Sequence, residues 1–391
     1  MNNSIGVKQM ILTVQQNAED VILFHIAGIG TMTIDWGDGT PCKTHTLLDY
    51  DNNWWGSRYD YEFRHSYQDN STYIISIAGE HITHLDCDYN KITSLDVSKN
   101  AELKTLHCSS SQLTSLDIGK NIALTGLYCG CNQLKSLDVS KNKMLRVLQC
   151  EENQLTSLDI SKQTALWHLH CENNQLTDLD VSKNTALITL RCNDNQLLYL
   201  DISTNTALRV LQCDNNKLTN LDISTNTALL ELSCRNNQLM SLNISRNTAL
   251  RMLYCNDNQI TSLNLNANTA LIILDCSCNN LKDLNISTNT ELKNVYCNEI
   301  QLTNLYISAN SALEELYCKQ NNLTSLDVSK NAELKHLDCG GNQLDATALN
   351  TLFGALPYNQ RWKTINFSNN PGTNTCNKSI AEYVMWAAML Q

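Results

Sequence analysis

LRVLQCDNNKL, residues Leu208 to Leu218, is one instance of a phrase that recurs every 21 residues along most of this chain. Its Cys returns at Cys87, Cys108, Cys129, Cys150, Cys171, Cys192, Cys213, Cys234, Cys255, Cys276, Cys297, Cys318 and Cys339. Between successive Cys stands a parallel phrase with the same spacing of apolar residues, complete as LTSLDVSKN at Leu323 to Asn331. The alternation Leu-x-Cys and Leu-x-Val/Ile has the period of a strand, so each turn is expected to hold two short strands joined by two corners. Stacked turns would then form two parallel sheets around one shared core of Leu, Ile, Val and Cys. No single turn can bury its apolar face alone, so stability must come from contacts between neighbours.

Two columns of Asn mark the corners. One stands three residues after each Cys, from Asn90 to Asn342, and departs only at Ser111 and Ile300; the other runs from Asn100 to Asn331 and departs only at Gln163. An Asn side chain can satisfy backbone groups that a sharp corner would otherwise bury unpaired, so both columns read as structural. The Cys column reads the same way, because in-register neighbours sit one strand spacing apart, wider than a disulfide prefers. These Cys are expected to be small buried hydrophobes with free thiols. Cys131 and Cys278, each two residues after a ladder Cys, read as loop residues rather than metal ligands.

The nested pattern, LxxLxCxxNxL alternating with LxxLDVSxN, resembles the leucine-rich-repeat proteins of bacteria, a class common in surface and secreted proteins of gut bacteria. The resemblance covers about two-thirds of the chain. It implies a leucine-rich-repeat solenoid, mostly β, in a protein that binds a ligand at the cell surface or after secretion. The start, MNNSIGVKQM, has no basic region followed by an apolar core, so no secretory signal is visible in the chain.

The expected organisation is an N-terminal β-sandwich over residues 1–80, a solenoid of thirteen 21-residue turns over 81–344, and a small helical C-terminal cap over 345–391. Both solenoid ends need caps, since an open end exposes core and unpaired strand edges. Candidate strands in the first segment are Met10–Val14, Val21–Ala27, Thr31–Asp35, Tyr59–Arg64 and Thr72–Ala78. IDWGDGT at Ile34–Thr40, HSY at His65–Tyr67 and YIISIAG at Tyr73–Gly79 together resemble the PKD-type immunoglobulin-like domain. The aromatic directly before GDG and the Thr40–Ser57 insertion depart from that pattern. Asp35 and Asp38 are read as pinning a turn rather than holding calcium, and Trp54-Trp55 as packing on the first repeat or stacking on a partner. At the other end Asp345 should cap a helix through ATALNTLFGAL, Lys363–Ser368 should form a last strand, and Ser379 with Glu382 a capping box for a closing helix carrying Trp386 and Leu390. This arrangement, with its NNPGT turn, resembles the terminal segment of the same repeat proteins.

Function is sought on the outward positions. A net charge of −11 argues against a nucleic-acid partner. No apolar run approaches the ~20 residues of a membrane-spanning helix. No nucleophile elbow, Walker loop, dinucleotide fingerprint or HExxH is present, so a non-enzyme without a cofactor is expected. On the LDVS side the outward column is uniform, Asp from Asp96 to Asp222 followed by Lys at several turns, and reads as a solvated face. On the Cys side the outward residues vary and include Tyr, His, Arg and aliphatics. That is the composition of a protein-recognition surface. The richest stretch holds Arg251, Met252, Tyr254, Ile273, Asp275, Tyr296, Glu315, Tyr317 and Lys319. A protein ligand is expected there, with a glycan as the lesser choice. The competing reading is a metal-dependent hydrolase or metal-binding protein, since His168, His170 and Glu172 alternate outward on one strand and such a set can chelate zinc.

Overall fold

Residues 139–160 show how one turn folds. Leu145, Leu148, Cys150, Leu155, Leu158 and Ile160 all point into the core and are buried. Only Val147–Gln149 is a strand, three residues long. Two tight bends precede it, in which Asn142 N–H donates to Val139 O (2.9 Å) and Leu145 N–H to Asn142 O (3.2 Å). After the strand, Glu152 takes a left-handed φ of +52° and Asn153 closes the corner. The same left-handed site recurs once per turn, and Cys131 and Cys278 occupy it, each with φ +53°. Those two Cys are thus corner residues.

The second sheet does not form. Among the described residues the LDVS side carries one strand, Ile92–Asp96, and one isolated bridge, Asp96 to Asp117. On this side the Asp column bends the chain. Asp138 Oδ1 accepts the Ser140 N–H at 2.8 Å, and Asp159, Asp180 and Asp222 do the same for the Ser two residues on. Each such Asx turn bends the chain just after the buried Leu. On this side few backbone bonds remain, as from Gln154 N–H to Leu134 O (2.9 Å).

The two Asn columns tie the turns together. Asn153 Nδ2 donates to Cys129 O, Cys150 O and Glu151 O at 3.0, 3.2 and 3.1 Å, and its Oδ1 accepts the Leu134 N–H at 2.9 Å. In the other column Asn142 Nδ2 donates to Ile118 O and Asn121 O at 3.0 and 2.9 Å. Gln163 keeps this role with its longer arm, Nε2 reaching Val139 O at 2.7 Å.

The structure, a computed structural model, describes residues 8–15, 20–49, 62–358 and 363–388, in two units, Met1–Leu197 and Leu198–Gln391. The first unit opens with antiparallel strands β1 (Gln9–Gln15), β2 (Val21–Asp35), β3 (Lys43–Thr46), β4 (Glu62–Ser66), β5 (Thr72–Asp86) and β6 (Ile92–Asp96). The two candidate strands between Val21 and Asp35 are one element, whose register with β5 shifts at Ala27/Gly28 and Ile29/Met32. Gly28 permits this, since a Cβ there would meet His81 O at 2.0 Å. Strand β5 runs on past residue 80 and pairs parallel with β7 (Thr105–His107), so cap and solenoid share one strand. Asn90, the first corner Asn, clasps the cap instead of a previous turn: its side chain accepts the Leu23 N–H at 2.9 Å and donates to Leu23 O at 2.8 Å. Then follow β8 (Gly126–Tyr128), β9 (Val147–Gln149), β10 (His168–His170) and β11 (Thr189–Arg191), parallel and in register.

Asp35 and Asp38 do pin a turn. Asp35 accepts the Gly37 N–H at 2.9 Å, while Asp38 accepts the Thr40 N–H at 3.0 Å and contacts His65 Nε2 at 2.7 Å. Gly37, at φ +79°, lies where a Cβ would meet Ile74 O at 2.3 Å. Trp36 stacks between Phe24 and His65. Trp54-Trp55, the stretch Tyr59–Tyr61 of one candidate strand, and Leu390 lie outside the described residues.

The second unit continues with β12 (Val210–Gln212), β13 (Glu231–Ser233), β14 (Met252–Tyr254), β15 (Ile273–Asp275), β16 (Asn294–Tyr296), β17 (Glu315–Tyr317) and β18 (His336–Asp338), again parallel and in register. Helix α1 (Ala346–Ala355) is capped by Asp345, whose Oδ1 accepts the Ala348 N–H at 2.7 Å. Strand β19 (Lys363–Asn366) adds a further rung, with Ile365 and Phe367 in the Leu and Cys positions. Asn370, within the NNPG turn, is a last corner Asn: Nδ2 donates to Cys339 O at 2.9 Å and Oδ1 accepts the Leu344 N–H at 3.0 Å. The closing helix differs from expectation. It is a single turn, α2 (Ser379–Tyr383), begun at Lys378 without a side-chain cap, and Trp386 lies beyond it in β20 (Trp386–Ala388). There Trp386 is buried and β20 pairs with β19, so covering an open strand edge outweighs extending the helix.

All seventeen Cys are free thiols, and the thirteen of the ladder are fully buried. Burial pushes the Cys129, Cys150, Cys234 and Cys276 thiols well above their usual range. Several donate to the carbonyl of the next rung, Cys87 to His107 O at 3.1 Å and Cys213 to Ser233 O at 3.4 Å. A native sample treated with a thiol reagent should modify Cys42 quickly, Cys131, Cys278 and Cys376 more slowly because burial raises their thiol pKa, and the ladder only on denaturation. Mapped disulfides between ladder positions, or fast native labelling of them, would contradict this.

Candidate recognition face

Each strand from β7 to β18 presents its first and third residues outward and its middle residue inward. Within each unit, in-register pairing therefore makes two outward columns, with rungs ~4.8 Å apart. The nine residues expected to form the richest stretch fall on β14 to β17 or within two residues of those strands, all in the second unit.

Along the third-residue column Tyr254 stands opposite Asp275, Asp275 opposite Tyr296, and Tyr296 opposite Tyr317. Tyr296 and Tyr317 stack, ring centroids 5.0 Å apart and planes 19° apart. The Tyr296 hydroxyl donates to Glu315 Oε2 at 2.9 Å. Tyr254, Asp275, Tyr296 and Tyr317 are half-buried, and so are Met252 and Ile273 beside them, so these rings pack on the sheet rather than standing free in water. Arg251 and Lys319 are exposed at the strand ends. Burial, the largest influence, pushes the Asp275 carboxyl above its usual range, against the opposing hydrogen bonds from Ser277.

Other contacts of this face went unforeseen. Arg235 lays its guanidinium over the Tyr254 ring at 4.7 Å and lies 3.6 Å from Asp214. Ser233, a small polar residue in a variable column, is buried and donates to both Asp214 oxygens at 2.6 and 2.8 Å. Glu314 is flanked by Lys293 (3.0 Å) and Lys335. In the first unit His107 and Tyr128 stack at 4.0 Å. These pairs join consecutive turns, so only the 21-residue alignment of the sequence could have suggested them.

His168, His170 and Glu172 share one side of β10 but are half-buried rather than exposed. Among the described residues no three His, Cys, Asp or Glu side chains are grouped to hold a metal ion, and these three are not brought together as ligands. Burial dominates both extremes here. It pushes His170 down to about 4, helped by Arg191, and Glu172 up to about 7, helped by Glu151. A carboxyl whose folded pKa lies above its unfolded value of 4.5 favours folding while protonated. That contribution is full below the unfolded value and is lost as pH rises through 7. Glu172→Gln should therefore raise Tm at pH 8 and change it little at pH 4. A fall at pH 8, or equal shifts at both, would contradict this.

The LDVS face is less uniform than the Asp column suggests. Ser N–H bonds hold the Asp138 and Asp222 carboxyls below their usual range, so those Asp residues shape the backbone. From Asn243 to Asn285 an Asn takes over the same turn. Yet Leu198, Tyr199, Met240 and Tyr306 are 64, 61, 66 and 75% exposed there, more than any ring of the Cys-side face. Tyr306 sits in the Asp column itself, a break visible in the sequence.

The repeat, its corner Asn and its buried thiols define a leucine-rich-repeat solenoid with a cysteine ladder. No family model matches the sequence, and no curated protein matches it. Among solved structures, the functional domain of InlJ from Listeria monocytogenes, described as including a cysteine ladder, is 32% identical over 77% of each chain, with a TM-score of 0.61. The chain belongs to the bacterial leucine-rich-repeat proteins. A leucine-rich-repeat protein of Leptospira interrogans (22% identity, 78% of this chain and 83% of that one, TM-score 0.70) and an internalin, InlF, from Listeria monocytogenes (22%, 78% and 86%, 0.63) share the fold. No helix among the described residues is long and apolar enough to cross a membrane.

Proposed function

We propose that this chain is a non-catalytic binding protein that takes a protein ligand on the outward face of its Cys-side strands, at the cell envelope or outside the cell. The supporting observation is the run Tyr254, Asp275, Tyr296, Tyr317 on consecutive rungs, with two rings stacked and all four side chains half-buried. Pre-ordered aromatic side chains lose little entropy on binding, which is why such groups dominate recognition surfaces. Residues Arg251, Met252, Ile273, Glu315 and Lys319 complete the face. The internalin-like similarity supports a surface or secreted location. In this reading the segment to residue 80 is a PKD-like sandwich capping the first turn, and residues 345–391 seal the last.

Immobilised chain should capture a component of envelope or host extracts. Capture should disappear when the extract is proteolysed and persist when it is deglycosylated. Loss on deglycosylation alone would overturn the protein reading in favour of a glycan.

A further inference from the structure

The outward columns of β13 to β18 contain four carboxylates, Glu231, Asp275, Glu315 and Asp338, and neither Lys nor Arg. The nearby cations stand at the strand ends: Arg251 and Lys319 are exposed there, Lys293 is paired with Glu314, and Arg235, 3.6 Å from Asp214, lies over the Tyr254 ring. Within this acidic strip Asp275 lies between two tyrosines, Tyr254 on the rung before and Tyr296 on the rung after. We propose that Tyr254, Asp275 and Tyr296 form a subsite for an arginine side chain of the protein ligand, its guanidinium held on the carboxylate and flanked by the two rings.

Three observations carry this. First, the chemistry is complementary: a guanidinium is planar, stacks on aromatic faces and pairs bidentately with carboxylates, which an ammonium does less well. Second, the chain contains its own example of the contact, since Arg235 reaches Tyr254 from the preceding rung at 4.7 Å while pairing with Asp214. Third, Asp275 is half-buried and accepts hydrogen bonds from Ser277, whose backbone N–H lies at 3.1 Å. A carboxylate partly withdrawn from water gains most from an arriving cation.

The subsite rests on the reading of this face as the recognition surface, and its test does not need the natural ligand. Full-length chain is titrated with a fluorescein-labelled peptide of Gly-Arg repeats, and with matched peptides carrying Lys or the neutral isostere citrulline. The Arg peptide should bind at least about fivefold tighter than the Lys peptide, and the citrulline peptide should not bind. Asp275→Asn keeps the Ser277 contact available, and should weaken Arg-peptide binding by about tenfold or more. Asp222→Asn removes the same charge from the LDVS side, where Asn243 fills the same turn naturally, and should change binding less than about twofold. Tyr254→Leu, should Asp275→Asn fail to fold, provides the second arm and should weaken binding several-fold. Equal losses from Asp275→Asn and Asp222→Asn, or equal binding of the Arg and citrulline peptides, would overturn the subsite. If those results occur while the Tyr296 and Tyr317 variants still lose the captured partner, only the arginine assignment fails.

Discussion

Asn153→Ala should destabilise the chain by about 3 kcal/mol, the largest effect of any single corner substitution discussed here. The change removes a buried side chain that satisfies four backbone groups: the Leu134 N–H and the carbonyls of Cys129, Cys150 and Glu151. Leaving one such group buried and unpaired costs roughly 1–3 kcal/mol. Asn153→Asp is the sharper variant. It keeps the shape but turns a carboxylate oxygen toward three carbonyl oxygens, so at pH 7 its loss should at least match that of Ala. The loss should shrink on acidification, when the carboxyl protonates and can donate. Urea unfolding gives both values; a cost below about 1 kcal/mol for either would contradict the account of the corners.

Much of this was legible in the sequence because a repeat supplies its own alignment. The inward Leu and Cys, both Asn columns and the free thiols follow from period and burial alone. The second sheet was expected because LDVS has the alternation of a strand, but hydrophobic period does not report whether successive backbones pair in a ladder, and on this side they do so only at Asp96 and Asp117 among the described residues. The Asp column is exposed to solvent, as its uniformity suggested, and it also caps the backbone, which the period does not report. Trp386 was assigned to a helix because Ser379 and Glu382 have the spacing of a capping box; the need to cover the edge of β19 is tertiary and left no trace in local propensity. At the recognition face the sequence identified which columns vary. Distances such as the Tyr296–Tyr317 stack, and partners such as Arg235 on Tyr254, depend on rotamers that period does not fix.

Replacing Tyr296 and Tyr317 together by Ala should weaken binding of the captured partner by ~2 kcal/mol or more, roughly thirtyfold in Kd. The rings lie on adjacent rungs and stack, so the pair acts as one pre-ordered anchor, and the two substitutions should be less than additive. Stability should fall only modestly, since both rings are half-buried on the sheet surface and neither fills the Leu-Cys core. Tyr296→Phe isolates the hydroxyl. It keeps the stack, removes the bond to Glu315 and should cost less than half of the double variant's loss.

The central claim is that recognition belongs to the Cys-side strands and not to the LDVS face, and the exposed Met240 and Tyr306 make that face the serious rival. The decisive measurement is the Kd of the captured partner for two double variants that keep the fold, one on each face. One carries Tyr296→Ala with Tyr317→Ala; the other returns Met240 to Thr and Tyr306 to Asp, the residues of neighbouring turns. The account predicts a roughly thirtyfold loss for the first and less than about twofold for the second. A large loss for the Met240 and Tyr306 variant, with binding intact in the Tyr296 and Tyr317 variant, would place recognition on the opposite face and contradict it.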